Sequence, residues 1–503
     1  MITSKLSQGL TLFSRMFVGA LFVVSGLIKS NDALGFMYKL EEYFEPGALN
    51  LEYLTPYALE IAIFVCIAEI LLGIALLVGA LPKLTTVLTM VMMVFFTWLT
   101  WYTATCDPFG MKMITDANGE MIEIANQCVL ECGCFGNAIP LTAYQSFLKD
   151  LFLLIFIIPI TIAAFRNKIQ LNESHTSMIL YTGALVLTFL FGYMMLDWNF
   201  PVLYLTLLLL AASMVRRRVN HPKVEWIMAA SVVLVAGLVQ IKTITYLPLK
   251  DYRPYAVGES IIQNRLSAEE VGISGPKYAY DMIYTNNDSG EEILVKNGNH
   301  QNFVNSLFIS NHTFIDSVNH VIYTNNNSGE KMIVREDEYA KVVNSFFSQS
   351  HTHKDMVKVL VKEADENYFE QPRIMDLIME NAEGDDLTDE VLSNKGYTFF
   401  YISKDLEAVA EAGAPGQEEF NTLANAAQKE GITFYGLTNS GADFNNTFAT
   451  ENAVPYEFLT CDQIELKIVI RSNPGLVLIK DGFVVGKWSW RDIPTFSDFV
   501  NLP

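Results

Sequence analysis

Along its first 250 positions the chain alternates long apolar runs with short polar connections, and seven runs are long enough to cross a bilayer. A hydrocarbon core about 30 Å thick is spanned by roughly 20 helical residues. The runs fall near residues 9–28, 57–80, 84–104, 148–165, 177–195, 199–215 and 226–247. The fifth and sixth meet at Asp197-Trp-Asn-Phe-Pro201, which joins two helices or breaks one re-entrant element; the loop charges favour the hairpin. Basic residues collect in alternate connections, at Lys5, Lys83, Arg166 with Lys168, and Arg216 to Arg218 with Lys223. Because Lys and Arg stay on the cytoplasmic side, this pattern predicts a cytoplasmic N-terminus and an outer C-terminus. Lys39 and Lys112 fall on the other side, among acidic loops. Arg15 interrupts the first run and no small-residue cleavage site follows it, so the run reads as an uncleaved anchor.

After Leu247 the pattern changes. Residues 280–358 contain a duplication: Ile283-Tyr-Thr-Asn-Asn-Asp-Ser-Gly returns 39 positions later as Ile322-Tyr-Thr-Asn-Asn-Asn-Ser-Gly. Each copy reads as strand, turn, strand and a further segment, which suggests a small paired β-rich module. His351-Thr-His353 lies there without a carboxylate or cysteine at a ligand spacing, and reads as structural. From Asp385 onward strands and helices alternate, as in a small α/β domain, ending in a hairpin turned by Asp481-Gly482. The expected organisation is a membrane helical bundle over 1–250, a β-rich module over 251–384 and an α/β domain over 385–503.

Charge sharpens this division. The chain is 51% apolar yet carries a net charge of −21, of which −1 belongs to residues 1–250 and −20 to the remainder. An acidic soluble half repels nucleic acid and anionic lipid, so neither is expected as its partner.

Four of the six cysteines, Cys106, Cys128, Cys132 and Cys134, fall in one connection between the third and fourth runs. If that loop faces an oxidising compartment, its thiols meet the membrane where electrons can pass to a quinone. A bridge across Cys132-Gly-Cys134 closes a small, strained and therefore exchangeable ring. One arrangement pairs Cys106 with Cys128 and leaves Cys132 and Cys134 redox-active; two inert disulfides and a four-thiolate zinc site stay open beside it. Charges within the runs default to functional hypotheses. By helical rise Arg15 is expected to reach Glu69, and Lys29 to pair with Glu60 near the outer ends of the same two helices. These pairs fix register, or they shape a proton or quinone site. Cys66 reads as core. Cys461 opens a helix, a position that lowers a thiol pKa, but a lone thiol is more often inert.

The C-terminal block resembles thioredoxin-like domains. In those domains a proline before the third core strand is usually cis, and Pro474 holds the matching place. It departs from them in lacking Cys-x-x-Cys after its first strand, Ser403-Lys-Asp-Leu, so it cannot run dithiol exchange alone. Arg15-Met-Phe-Val-Gly-Ala through Lys29, then Asp32, Gly35-Phe-Met-Tyr-Lys39, Glu69-Ile-Leu-Leu-Gly73, Cys132-Gly-Cys-Phe-Gly136 and Asp251-Tyr-Arg-Pro-Tyr255 resemble DoxX/MauE-type membrane proteins, in particular their long Bacteroidota branch. That resemblance implies a four-helix core in the inner membrane, with about three further transmembrane helices here, and a loose association with extracytoplasmic redox chemistry. Two function classes follow. One is thiol/disulfide exchange with a periplasmic or membrane partner protein, coupled to quinone; the other is a non-enzymatic scaffold or accessory subunit of an envelope complex.

Overall fold

A computed structural model describes residues 2–107, 110–115, 121–129, 133, 135–275, 368, 369 and 371–499, together with the backbone of strands between 277 and 362. Cys132 and Cys134 lie outside the described residues, as do the side chains of the duplicated segment. The chain forms two compact units, one built from residues 1–261 with 376–503 and the other from 262–375.

The first unit contains the helical region of a multi-pass membrane protein. Its helices are α1 (Ile2–Asn31), α2 (Ala33–Phe44), α3 (Ala58–Val78), α4 (Pro82–Ala104), α5 (Ala143–Phe165), α6 (Ser174–Met195), α7 (Phe200–Arg218) and α8 (Val224–Thr245). Seven segments, all of these but α2, are long and apolar enough to span, α3 counting from Glu52. The junction at 197–201 separates two complete helices, α6 and α7. Local chemistry sets the ends. Asp32 caps α2 by accepting from Gly35 N, Thr142 and Gln145 form a capping box on α5, and Arg216 to Arg218 sit in the last turn of α7, where the helix dipole favours cations.

Helices α1 and α3 pack antiparallel through glycine. A Cβ on Gly73 would lie 2.7 Å from Gly19 O, and one on Gly26 would lie 3.1 Å from Glu69 Cβ, so the backbones approach as only small residues permit. This register governs which charges meet. Between α4 and α5 the connection forms a hairpin, β1 (Met111–Thr115) against β2 (Met121–Ala125), whose base is clasped by a Cys106–Cys128 disulfide with Cα atoms 5.7 Å apart.

The C-terminal part of this unit is a five-stranded sheet of β11 (Tyr397–Ser403), β12 (Thr433–Thr438), β13 (Glu457–Thr460), β14 (Gly475–Lys480) and β15 (Phe483–Ser489). Its order is β13-β12-β11-β14-β15, with the first three strands parallel and the last two antiparallel. Phe399, Tyr401, Phe420, Leu476 and Leu478 fill its core against flanking helices. The Asn473-Pro474 bond that enters β14 is cis.

The second unit is built from β3 (Lys277–Asn287), β4 (Glu292–Val295), β5 (Phe314–Asp316), β6 (His320–Asn325), β7 (Ser328–Gly329), β8 (Lys331–Arg335), β9 (His351–Thr352) and β10 (Val357–Lys362). The two sequence copies form the same hairpin in the same register. Ile283 pairs with Leu294 in β3 and β4, and Ile322 with Ile333 in β6 and β8.

Candidate functional site

Buried charge concentrates at the end of the bundle where α1 gives way to α2. Lys29 Nζ lies 2.7 and 2.9 Å from the two carboxylate oxygens of Glu69 and 2.8 Å from Ser25 Oγ, and both ionic side chains are 3% exposed. This corrects the pairing expected from helical rise. The Gly26 contact sets Glu69 about one turn from Lys29, whereas counting from the ends of the apolar runs misplaces the register. Arg15 instead donates to Leu76 O at 2.9 Å and Asn172 Oδ1 at 2.8 Å, and Asn172 donates to Leu77 O at 2.6 Å. Arg15 thus satisfies the open carbonyl end of α3. Glu60 is exposed in the first turn of α3, where the helix dipole favours an acid.

A second ionic group faces the same region. Asp150, 3% exposed on α5, takes Lys149 Nζ at 3.0 Å and the Thr100 hydroxyl at 3.2 Å. Both residues lie at the start of the 148–165 apolar run, where Lys149 ends the stretch Leu141-Thr-x-x-x-Ser-Phe-x-Lys149 that also fits the DoxX/MauE-type pattern; an acid beside an apolar run is the signal that marks Asp150.

Lys29 lines three cavities. A cavity of about 240 Å³ is lined by Ser25, Glu69, Lys149 and Asp150 together with the apolar Met93 and Phe96. A groove of about 540 Å³ runs from Lys29 and Thr100 between apolar walls that include Phe44, Leu54, Phe95 and Trp98. A smaller chamber of about 70 Å³ is bounded by Asp32, Lys39, Gly133, Gly136, Asp251 and Arg471 as well as Lys29.

The cysteine connection forms one wall of that chamber. Upstream it is pinned by Val129, buried against Tyr43, Phe44 and Ala58. Downstream Phe135 is buried with Val24, Ile28 and Leu196, and Lys149 Nζ stands 4.9 Å from its ring. Gly133, at φ +71°, packs so closely on Lys39 that a Cβ would lie 2.9 Å from its Cγ. Gly133 and Phe135 are the chain neighbours of Cys134.

Arg471, in the segment that leads into β14, also lines the chamber. Arg471 forms a bidentate pair with Asp32, both contacts 2.7 Å, and Asp251 takes Arg253 at 2.7 and 2.8 Å and Lys487 at 2.7 Å. Arg253 also donates to Ile468 O at 2.8 Å. The ring of Tyr38 on α2 lies under three cations, Lys467, Arg471 and Lys404, at 4.8, 5.4 and 5.5 Å. Burial works to raise Asp32 and Asp251, but the neighbouring Arg471, Arg253 and Lys487 outweigh it and hold both below the usual carboxylate range. Lys404 donates to Arg471 O at 2.8 Å; its burial, with the Arg471 and Arg253 charges, pulls it down to about 7.

The two remaining described cysteines are both buried. Cys66 sits within α3. Burial, reinforced by Glu465 and Asp462, pushes the Cys461 thiol up to about 12, the opposite of what its helix-opening position suggested.

Residues 7–106 match the family model described as methylamine utilisation protein MauE. The match spans α1 to α4 and so contains Lys29, Asp32, Glu69 and Thr100. No curated protein and no solved structure matches the chain.

Proposed function

We propose that this chain is a redox-associated protein of the inner membrane, with its cysteine loop and C-terminal block on the periplasmic side. In this reading Cys132 and Cys134 exchange a disulfide with a partner protein and deliver electrons to a membrane quinone. One observation carries it: the buried Lys29–Glu69 pair stands where a chamber walled by the cysteine loop adjoins two cavities among the apolar helices.

The residues suit such a ligand. Lys29 Nζ would hold a carbonyl oxygen by giving up one of its three bonds to Glu69 and Ser25, and the groove that it lines has largely apolar walls, as an isoprenoid tail requires. A quinone would supply an acceptor for two electrons and two protons. On the protein, two thiols at Cys132 and Cys134 become one disulfide, releasing those electrons and protons. Glu69 and Asp150, which line one cavity, would hold or pass protons.

Differential alkylation of the full chain in native membranes, with and without quinone and reductant, tests this. The expected result is a Cys132/Cys134 pair whose oxidation follows the quinone pool. A pair permanently oxidised under every condition, with Cys132→Ser and Cys134→Ser variants indistinguishable from wild type, defeats the proposal.

A second reading, a non-enzymatic scaffold or accessory subunit, is favoured by the C-terminal block. Read as thioredoxin-like, it contains only the buried Cys461 and is fixed to α2 by Arg471 and Asp32. Purification at native level with bound quinone and no stable partner argues against it.

A further inference from the structure

Two charges at the end of α8 have no part in the proposed chemistry. Lys242 lies on α8 itself, and its Nζ stands 3.3 Å from the centroid of the Tyr246 ring, so the ammonium reaches along the helix towards its C-terminus. Arg491, two residues after β15, donates from Nη1 to Thr245 O at 3.1 Å and holds its guanidinium carbon 4.0 Å from the centroid of the Trp490 ring. Both cations are exposed, and neither forms an ion pair among the described residues. The Thr245 carbonyl takes one of the five N–H donors of the Arg491 fork, which leaves the others for a further acceptor.

The face of α8 that leads to these cations is apolar and open. At about 100° of turn per residue, Leu234, Leu238, Ile241, Lys242 and Thr245 fall within a sector of about 100°. Leu234, Leu238 and Ile241 are 65%, 61% and 63% exposed on a helix of spanning length, as a surface that meets lipid requires. Lysine, arginine, tyrosine and tryptophan at the end of such a stripe stand where the hydrocarbon gives way to headgroups. The residues after 250 are acidic as a whole, which predicts repulsion of anionic lipid, yet the point at which Arg491 touches α8 carries two cations. Asp492, the next residue, is exposed and makes no ion pair with Arg491.

We propose that this rim binds an anionic phospholipid, with the phosphate between Lys242 and Arg491 and an acyl chain along Ile241, Leu238 and Leu234. Two cations facing one phosphodiester favour a headgroup with net negative charge, because a zwitterionic lipid brings its own cation to a place that already holds two. Lys242 belongs to the bundle and Arg491 to the C-terminal block, so the bound lipid joins one to the other. The site stands whatever chemistry the cysteine loop performs, and its test is independent of the redox reading.

Photolabelling of the full chain in nanodiscs tests this. Phosphatidylglycerol or phosphatidylcholine carrying a diazirine on its acyl chain is added at the same low mole fraction, and labelled residues are mapped by mass spectrometry. A basic group beside an anionic lipid is worth roughly fivefold in binding, and two are worth about thirtyfold. Labelling of the peptide 234–245 is therefore expected to favour phosphatidylglycerol by about thirtyfold, and the preference to fall close to one in the double variant Lys242→Gln, Arg491→Gln. Both side chains are exposed, so the double variant keeps the core intact. A wild-type preference below about fivefold, or one that survives in the double variant, overturns the site. Free glycerol phosphate in excess is expected to leave the labelling unchanged; if it abolishes the preference, the rim takes a soluble anion and the lipid assignment falls.

Discussion

Replacing Asp32 by Asn isolates the charge that fastens the C-terminal sheet to α2. The amide keeps an oxygen for Gly35 N, which Asp32 caps at 3.0 Å, so the helix start survives while the bidentate pair with Arg471 is lost. The Arg471 side chain is 7% exposed and Asp32 26%. Breaking a fully buried pair costs about 3–5 kcal/mol and an exposed one about 0–1 kcal/mol. The partial exposure of Asp32 places this pair between them, at about 2.5 kcal/mol, or roughly 70-fold in the opening equilibrium. Hydrogen exchange of the full chain in nanodiscs measures this directly, in peptides covering 463–475 and 248–255. Exchange there should accelerate by roughly that factor in Asp32→Asn, whereas Lys39→Gln, which breaks a more exposed pair with Glu42, should shift it by less than about fivefold. An acceleration under about threefold in Asp32→Asn would refute the view that this pair holds the sheet in place.

Two further outcomes follow from the same geometry. Lys29→Met leaves Glu69 buried without its partner and should lower stability by about 3–5 kcal/mol, while Lys29→Met with Glu69→Leu should recover most of it. Thermal unfolding in detergent distinguishes them, and a double variant no more stable than the single one contradicts the pairing. Lys404 has a folded pKa of about 7 against an ordinary 10.5, so the unfolded chain binds more protons between those values. Stability should therefore rise with pH from about 7 towards 10.5 and level off below 7, where Lys404 is protonated in both states. Lys404→Met should flatten that rise in a pH series of unfolding midpoints; an unchanged profile would show that Lys404 is not its source.

Much of the membrane half is legible from sequence because an unbroken apolar run of helical length has few other destinies. Helix α2 escapes that signal, since its twelve residues mix Lys39, Glu41 and Glu42 with Phe36 and Leu40 and match no spanning pattern. The individual charges Arg15, Lys29 and Glu69 stand out for the cost of burying them, but their partners do not. Pairing depends on an interhelical register fixed by Gly19, Gly26 and Gly73, and small residues announce closeness without saying which turn meets which. Asp32 and Asp251 are visible as members of motifs, yet nothing local points to Arg471, 439 positions from Asp32, or to Lys487, 236 from Asp251.

That separation has a consequence for how the molecule is made. Domains generally fold in the order they leave the ribosome, so α1 to α8 can be inserted and packed while the last strands are still unsynthesised. Until Arg471 arrives, Asp32 and the cleft beside the cysteine loop have no cover. A chain that stops before Arg471 would carry a complete set of membrane helices and still expose that acid to solvent. The closing contact therefore reports that the chain has been made past Arg471, and a reagent that reads the Asp32–Arg471 contact would separate such molecules from shorter ones that membrane insertion alone cannot tell apart.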